Sequence, residues 1–128
     1  MNNKNIFILI ISLLILGTIA TVLLQSSSVS TGPSKYDEFA QCLKGRGAVF
    51  YGAFWCPHCK TQKELFGSSA KLLPYVECST FDGQNQLQIC KDKKIEGYPT
   101  WEFSDETRLS GEISLEKLAE KTSCLLPL

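Results

Sequence analysis

Two cysteines separated by two residues lie directly after an apolar segment near the middle of this 128-residue chain. The segment 48–54 (AVFYGAF) is rich in residues that favour β-structure, and its continuous apolar character is typical of a central strand buried on both faces. Trp55 and the quartet CPHC (56–59) come next, and helix-forming residues follow at 60–73. We therefore expect the two sulfurs at the junction between a buried strand and the start of a helix.

The start of a helix favours a reactive thiolate at Cys56. The thiolate is the nucleophile in disulfide exchange, and a free cysteine, with a pKa of about 8.5, is mostly thiol at neutral pH. Unpaired backbone N–H groups and the positive end of the helix dipole stabilise negative charge at the first turn. Pro57 suits the first helical position, and a protonated His58 adds positive charge beside the sulfur. Cys59, one turn further on, would resolve a mixed disulfide, and a stabilised thiolate makes the disulfide a stronger oxidant.

The same cysteine pair is compatible with a permanent disulfide or with half of a zinc site. A metal-binding module would use Cys56 and Cys59 together with Cys78 and Cys90. Structural zinc sites usually combine two closely spaced ligand pairs, whereas 11 residues separate Cys78 from Cys90. We therefore favour redox chemistry and expect no bound metal.

Helix and strand patterns alternate along residues 34–128. Apolar residues at 36, 39, 40 and 43 repeat at the spacing of one helix face, and Gly45 would end that helix. Strands are predicted at 48–54, 75–78, 101–103 and 107–109, and further helices at 60–73, at 86–94 and from Ser114. This order predicts an α/β fold with a central sheet flanked by helices.

The N-terminal segment Ile6 to Leu24 is 19 residues long and has no charge. As a helix it would span roughly 29 Å, close to the bilayer core of about 30 Å. Lys4 and the amino group precede it, so the positive-inside rule places Met1 in the cytoplasm. We expect a single-pass signal anchor in the cell membrane with the soluble part outside the cytoplasm. The alternative is a cleaved signal peptide and secretion, since Ser26 and Ser28 are small residues suited to cleavage.

These features divide the chain into four parts and exclude one class of partner. We expect a short cytoplasmic N-terminus at 1–5, the transmembrane anchor at 6–24, a flexible Ser-rich linker at 25–33 and the folded domain at 34–128. Lys and Arg together number 13, and Asp and Glu together number 13, so the chain has no net charge. This balance gives no electrostatic basis for a nucleic-acid partner. Six cysteines, all within the domain, favour an oxidising compartment.

Three stretches, FYGAFWCPHCKTQKELFG, PYVEC and IEGYPTWEF, carry a family resemblance that covers about residues 36–124. They resemble the thioredoxin-like domain fused to bacterial and plant homologues of vitamin K epoxide reductase, and the CPHC quartet resembles that of the periplasmic oxidase DsbA. The resemblance implies a thioredoxin fold that lacks the extra first strand. It implies protein thiols and disulfides as substrates, no cofactor, and a quinone-coupled membrane oxidase of the vitamin K epoxide reductase or DsbB kind as partner. With one membrane segment here, that partner would be a separate chain.

The resemblance also implies a substrate-binding loop around Tyr98 and Pro99. In a thioredoxin fold a cis-proline loop lies against the cysteine sulfurs, blocks metal binding and pairs with extended substrate. We expect Pro99 to be cis, with an ordinary turn proline as the alternative, because cis forms are only about 5–6% of X–Pro bonds. Trp55 and Tyr98 would lie beside this groove. Ordinary thioredoxins have a buried acid where this chain has Phe50, so proton transfer at Cys59 needs another route, for which Glu64 and water are candidates.

The four remaining cysteines are candidates for structural disulfides. Cys78 and Cys90 bracket a 13-residue loop, and a bridge there would contribute roughly 3 kcal/mol in the chain-entropy model. The resemblance supports that bridge, and two buried thiols are the alternative. Cys42 and Cys124 would pair by elimination, or remain free thiols or a second redox pair.

Together these features predict a membrane-anchored, extracytoplasmic thiol:disulfide oxidoreductase that passes a disulfide to protein substrates. A reductase or isomerase fed with electrons from the membrane is the main alternative, because the quartet favours a direction of electron flow and the partner decides it.

Overall fold

The computed structural model describes residues 2–25 and 32–128 and has two compact units, Met1–Gly32 and Pro33–Leu128. Most of the predicted linker, together with Ser26 and Ser28, lies outside the described residues.

The first unit contains one long helix, α1 (Asn3–Gln25). It begins three residues before the predicted anchor and ends one residue after it. By length and composition, α1 is the one helix in the described residues that could cross a membrane. A signal sequence near an N-terminus has the same length and composition, so this helix fits both of the alternatives drawn from the sequence.

The second unit is built on a four-stranded sheet with the order β2-β1-β3-β4. Its central strand β1 (Val49–Gly52) runs parallel to β2 (Tyr75–Glu77) and antiparallel to β3 (Thr100–Glu102). The strand β3 forms an antiparallel hairpin with β4 (Arg108–Ser110). The predicted α/β fold with a central sheet is therefore confirmed, and β1 is shorter than the predicted strand at 48–54.

Four α-helices surround this sheet: α2 (Asp37–Gly45), α3 (Pro57–Glu64), α4 (Gln88–Asp92) and α5 (Leu115–Thr122). The single helix predicted at 60–73 is wrong in extent, because α3 begins at the quartet and a separate 3₁₀ helix follows at Gly67–Leu72. Gly67 has a φ of +54°, a left-handed conformation that glycine adopts readily and that interrupts a helix. The helix predicted at 86–94 is likewise reduced to α4.

The core fills both faces of β1. Phe50 stacks on Trp101 with ring centroids 4.8 Å apart, and this face packs against α2 and α5. The neighbouring residue Tyr51 joins a second buried cluster with Cys78, Cys90 and Ile95. Successive side chains of a strand point to opposite faces, so a strand covered on both sides has no polar alternation. This arrangement explains the continuous apolar run in the sequence.

Two disulfides tie peripheral segments to this core. Cys42 of α2 is bonded to Cys124, which follows α5, with their Cα atoms 5.9 Å apart. Cys78, directly after β2, is bonded to Cys90 of α4, with their Cα atoms 5.6 Å apart. Cys56 and Cys59 are the free cysteines in the described part of the chain.

Candidate active site

The quartet lies where β1 passes into α3. Cys56 is the N-cap of α3 with an extended backbone conformation, and Pro57 occupies the first helical position, where its missing N–H removes no helical hydrogen bond. The Cys56 N–H donates to the Ala53 carbonyl at 3.0 Å, and the Cys56 carbonyl accepts from the Lys60 N–H at 3.2 Å. These backbone bonds hold the first sulfur at the positive end of the helix.

The segment before β3 lies against this first sulfur. The Cys56 thiol donates to the Tyr98 carbonyl oxygen, with sulfur and oxygen 3.6 Å apart. That carbonyl belongs to the Tyr98-Pro99 peptide, which is cis. Pro99 is fully buried. The structure thus brings the quartet and the Tyr98-Pro99 pair together. The roles of Tyr98 and Pro99 in substrate binding stay predictions.

The second sulfur is in a more enclosed position than the first. Both cysteines are buried members of the main core cluster, and Cys59 is 1% exposed while Cys56 is 5% exposed. Burial disfavours a thiolate and raises the pKa of Cys59 to about 12, and the neighbouring Cys56 acts in the same direction. A hydrogen bond with the Ala53 backbone and, less strongly, the charge of Lys63 oppose this rise in the pKa without cancelling it. The Cys59 sulfur therefore holds its proton at neutral pH when the pair is reduced.

His58 has a partner that the sequence did not indicate. Its Nδ1 lies 2.6 Å from Oε1 of Glu112, which follows β4 and is 54 residues away along the chain. The side chains are 68% and 39% exposed, so water screens the pair. The Glu112 carboxylate provides a hydrogen-bond partner that orients the imidazole ring within the quartet. Stabilisation of the Cys56 thiolate by His58 stays a prediction.

Polar residues of the disulfide-bonded loop hold the aromatic side chains next to the quartet. The Trp55 indole N–H donates to the Ser79 hydroxyl at 2.8 Å, and the Trp55 ring meets the Tyr98 ring edge-on with centroids 6.0 Å apart. The Gln86 side-chain amide donates to the Tyr98 hydroxyl at 2.8 Å. Sequence reasoning missed Ser79 and Gln86, because polar loop residues carry no signal of a tertiary partner.

The route of proton transfer at Cys59 involves two positions singled out from the sequence, Phe50 in place of a buried acid and Glu64 as a candidate proton carrier. Phe50 is fully buried and stacked on Trp101, so the position of the missing acid is filled by core packing. The Glu64 side chain is 63% exposed and pairs with Lys60 at 3.9 Å, which places its carboxylate at the surface.

The disulfides also bear on the metal alternative. Cys78 and Cys90 are bonded to each other, so they do not supply the thiolates that a four-cysteine site with Cys56 and Cys59 requires. Within residues 2–25 and 32–128, the structure contains no group of three or more side chains arranged to hold a metal ion.

Comparison with known proteins places this geometry in context. The model of the thioredoxin family, described as "Thioredoxin", matches residues 28–123. The chain is similar to the Thiol-disulfide oxidoreductase LTO1 of Arabidopsis thaliana, with 48% identity over 102 residues, covering 75% of this chain and 27% of the plant protein. It is also similar to the Protein disulfide-isomerase A5 of Bos taurus, with 28% identity over 74 residues, covering 52% of this chain and 14% of the bovine protein. The chain thus spans about a quarter or less of the length of these relatives.

The difference in burial between the two sulfurs leads to a prediction about pH. In a Cys56→Ser variant, alkylation of Cys59 by iodoacetamide should accelerate about tenfold per pH unit and keep accelerating past pH 9.0, because burial, the largest cause of its raised pKa, remains when Cys56 is replaced. Mass spectrometry of the full chain in detergent would follow the adduct, with Cys59→Ser as the matched control. A rate that levels off near pH 9.0 would contradict the burial argument.

Proposed function

The chain belongs to the thioredoxin family, and we propose on that basis that it is a thiol:disulfide oxidoreductase in which Cys56 attacks and Cys59 resolves. The observation that carries the proposal is the pair of free cysteines at a strand–helix junction, both buried, with the first sulfur against the Tyr98 carbonyl oxygen. The printed names of both relatives, a thiol-disulfide oxidoreductase and a protein disulfide-isomerase, agree with disulfide exchange.

Disulfide transfer to a substrate then proceeds in two displacements. A substrate thiolate attacks the Cys56 sulfur of the Cys56–Cys59 disulfide, a mixed disulfide forms, and Cys59 leaves as a thiolate that takes up a proton. A second substrate thiolate attacks the substrate sulfur of the mixed disulfide, and Cys56 leaves as a thiolate. The substrate dithiol loses two electrons and the cysteine pair gains them, so an external acceptor must reoxidise the pair.

Substrate binding is the role we propose for Trp55, Tyr98 and Pro99. Trp55 is 53% exposed, and the adjacent Phe54 is 58% exposed, so an apolar aromatic surface borders the quartet. The Tyr98 carbonyl meets the Cys56 thiol and is available to pair with the backbone of an extended substrate once the thiol has reacted. Aromatic surface together with a free backbone group suits a protein substrate whose sequence varies around its cysteine.

Oxidation of substrates is the direction we favour. The CPHC quartet resembles that of DsbA, and Cys56 lies at a helix start, a position that in general favours negative charge and so the reduced form of a cysteine pair. The name of the bovine relative favours an isomerase as the second candidate, since isomerisation uses the same cysteine pair in its reduced form.

Membrane attachment completes the proposal. We infer that α1 anchors the domain 34–128 to the outer side of the cell membrane, since α1 is long and apolar enough to span a bilayer. There a quinone-coupled oxidase resembling vitamin K epoxide reductase or DsbB would accept electrons from Cys56 and Cys59. The two disulfides outside the quartet suit the same oxidising compartment.

The roles of the two cysteines lead to a trapping prediction. In a Cys59→Ser variant, attack of Cys56 on substrate disulfides, the reverse of the transfer described above, should leave mixed disulfides that accumulate, because no second sulfur remains to displace the substrate from Cys56. A Cys56→Ser variant should not accumulate them, since the remaining sulfur is enclosed. Non-reducing electrophoresis after acid quenching measures the adducts, and equal trapping by both variants would contradict the assigned roles.

The direction of electron flow is tested by the reduction potential of the quartet. We expect equilibration of the full chain with glutathione buffers to give a potential nearer to about −120 mV than to about −270 mV. A Pro57→Gly, His58→Pro variant, which replaces the spacer, should be more reducing and serves as the comparison. A potential near about −270 mV for the unmodified chain would favour the reductase alternative.

The topology leads to a labelling prediction. After mild reduction, a membrane-impermeant maleimide should label Cys56 in right-side-out vesicles and leave it unlabelled in inverted ones. A variant with Cys56→Ser and Cys59→Ser provides the background. Recovery of the domain in the soluble fraction after an alkaline wash would show instead that the N-terminal segment is cleaved.

A further inference from the structure

The proton of Cys59 needs a path that none of the residue roles proposed above supplies. Because the pKa of Cys59 is raised to about 12, this sulfur takes up a proton each time the disulfide opens and must lose it each time the disulfide forms. Phe50 has no titratable group, and the Glu64 carboxylate lies at the surface beside Lys60. Neither residue serves Cys59, which leaves water and the other side chains next to this sulfur as the candidates.

Gly52, at the end of β1, leaves a small space that Cys59 and Tyr75 share. A Cβ atom placed on Gly52 would lie 3.0 Å from the Cys59 sulfur, 2.8 Å from Cε2 of Tyr75 and 3.4 Å from the Tyr75 hydroxyl oxygen. The contact with the Tyr75 ring is closer than real Cβ atoms make, so a side chain at position 52 would displace the ring, and glycine lets the sulfur and the phenol approach the same point. The sulfur and the hydroxyl oxygen thus both lie within 3.4 Å of one point, so a single bridging water molecule would connect them for proton transfer.

The Tyr75 hydroxyl is connected in turn to a carboxylate. It donates to Oε2 of Glu77 at 2.7 Å, while Oε1 of Glu77 accepts backbone N–H groups from Ser79 at 2.9 Å and from Phe54 at 3.2 Å. Two backbone N–H groups from different segments thus hold Oε1, and Oε2 is left to accept the hydrogen bond from Tyr75. Glu77 is half-buried, so its carboxylate can exchange protons with solvent.

The charge around Tyr75 keeps it neutral. Burial raises the pKa of Tyr75, and the hydrogen bond and negative charge of Glu77 raise this pKa further. The Lys63 ammonium lies 3.4 Å from the centre of the Tyr75 ring, where it also lowers the cost of negative charge on Cys59. A phenol that resists ionisation can still pass a proton on if it receives one in the same step.

We propose that Tyr75 and Glu77 form the proton route of Cys59, in place of the buried acid that Phe50 displaces. When the disulfide opens, Glu77 first takes up a hydronium proton from the solvent. The Tyr75 hydroxyl, which donates to Glu77 at rest, then passes its proton through a bridging water molecule to the Cys59 thiolate and receives the Glu77 carboxyl proton in the same step. When the disulfide forms, the same transfers run in reverse, and the Cys59 thiolate displaces the partner sulfur from Cys56. The inference rests on the proposed function, since it serves the same cysteine pair.

Reaction of the reduced full chain with dithiobis(nitrobenzoate), in detergent, separates the two sulfurs. Attack by Cys56 releases a first coloured thionitrobenzoate, and attack by Cys59 on the resulting mixed disulfide releases a second. In a Tyr75→Phe variant the second release should be about 10- to 100-fold slower at neutral pH, with the first release unchanged. The difference should shrink as the pH rises towards 12, because hydroxide then removes the Cys59 proton directly.

Matched variants control for the loss of a hydroxyl or a carboxylate elsewhere. Tyr36→Phe removes a phenolic hydroxyl from a ring that packs on Phe66, and Glu64→Gln removes the surface carboxylate; neither should change the second release. Glu77→Gln should slow the second release in the same pH-dependent way as Tyr75→Phe. Imidazole buffer should partly restore the rate of the second release in these two relay variants. Added base replaces a missing proton acceptor but does not repair a distorted fold.

The outcomes distinguish the proton route from the proposed function. An unchanged second release in both relay variants, or a slowing that is the same at every pH and resists imidazole, would overturn the proton route alone. Absence of the first release in the unmodified chain would overturn the proposed function and the proton route with it.

Discussion

The burial of β1 on both faces is the constraint on which the rest of the structure depends. Phe50 faces the cluster of α2, α5 and Trp101, and Tyr51 faces the cluster closed by the Cys78–Cys90 disulfide. The strand β1 ends at Gly52, and the four residues that follow connect it to the start of α3 at Pro57. This connection places Cys56 at the helix start and Cys59 against the core. The positions of the two sulfurs thus follow from the packing of the strand that precedes them.

The same packing explains why proton transfer takes an unusual path. A carboxylate at position 50 would be buried among Trp101 and Tyr75, where an unpaired charge is costly, and Phe50 instead contributes aromatic contacts to both rings. The parallel register pairs Phe50 with Tyr75 and Gly52 with Glu77, so the neighbouring strand supplies polar groups at the edge of the core. The chain combines an apolar centre with a hydrogen-bonded phenol and carboxylate one strand away.

The accuracy of the sequence predictions varied with the range of the interaction. The strand before the quartet, the proline at the first helical position and the hairpin of β3 and β4 follow from patterns within a few residues, and the structure contains them. The helix predicted through 73 was wrong because Gly67 adopts a left-handed conformation, which helix-forming neighbours do not reveal. The partners of His58 and Trp55 lie 54 and 24 residues away, and no local pattern indicates them.

The sequence by itself determined the chemistry that is available: two sulfurs one helical turn apart, a helix start beneath the first of them, and a proline ahead of the third strand. These depend on backbone preferences and covalent spacing, which act over a few residues. Only the tertiary structure decided which sulfur is the less exposed, that the Tyr98 carbonyl meets Cys56, and that Tyr75, hydrogen-bonded to Glu77, shares a space with Cys59 beside Gly52. Burial and through-space contacts arise when distant segments pack together, and they change the protonation of a group whose covalent neighbours stay the same.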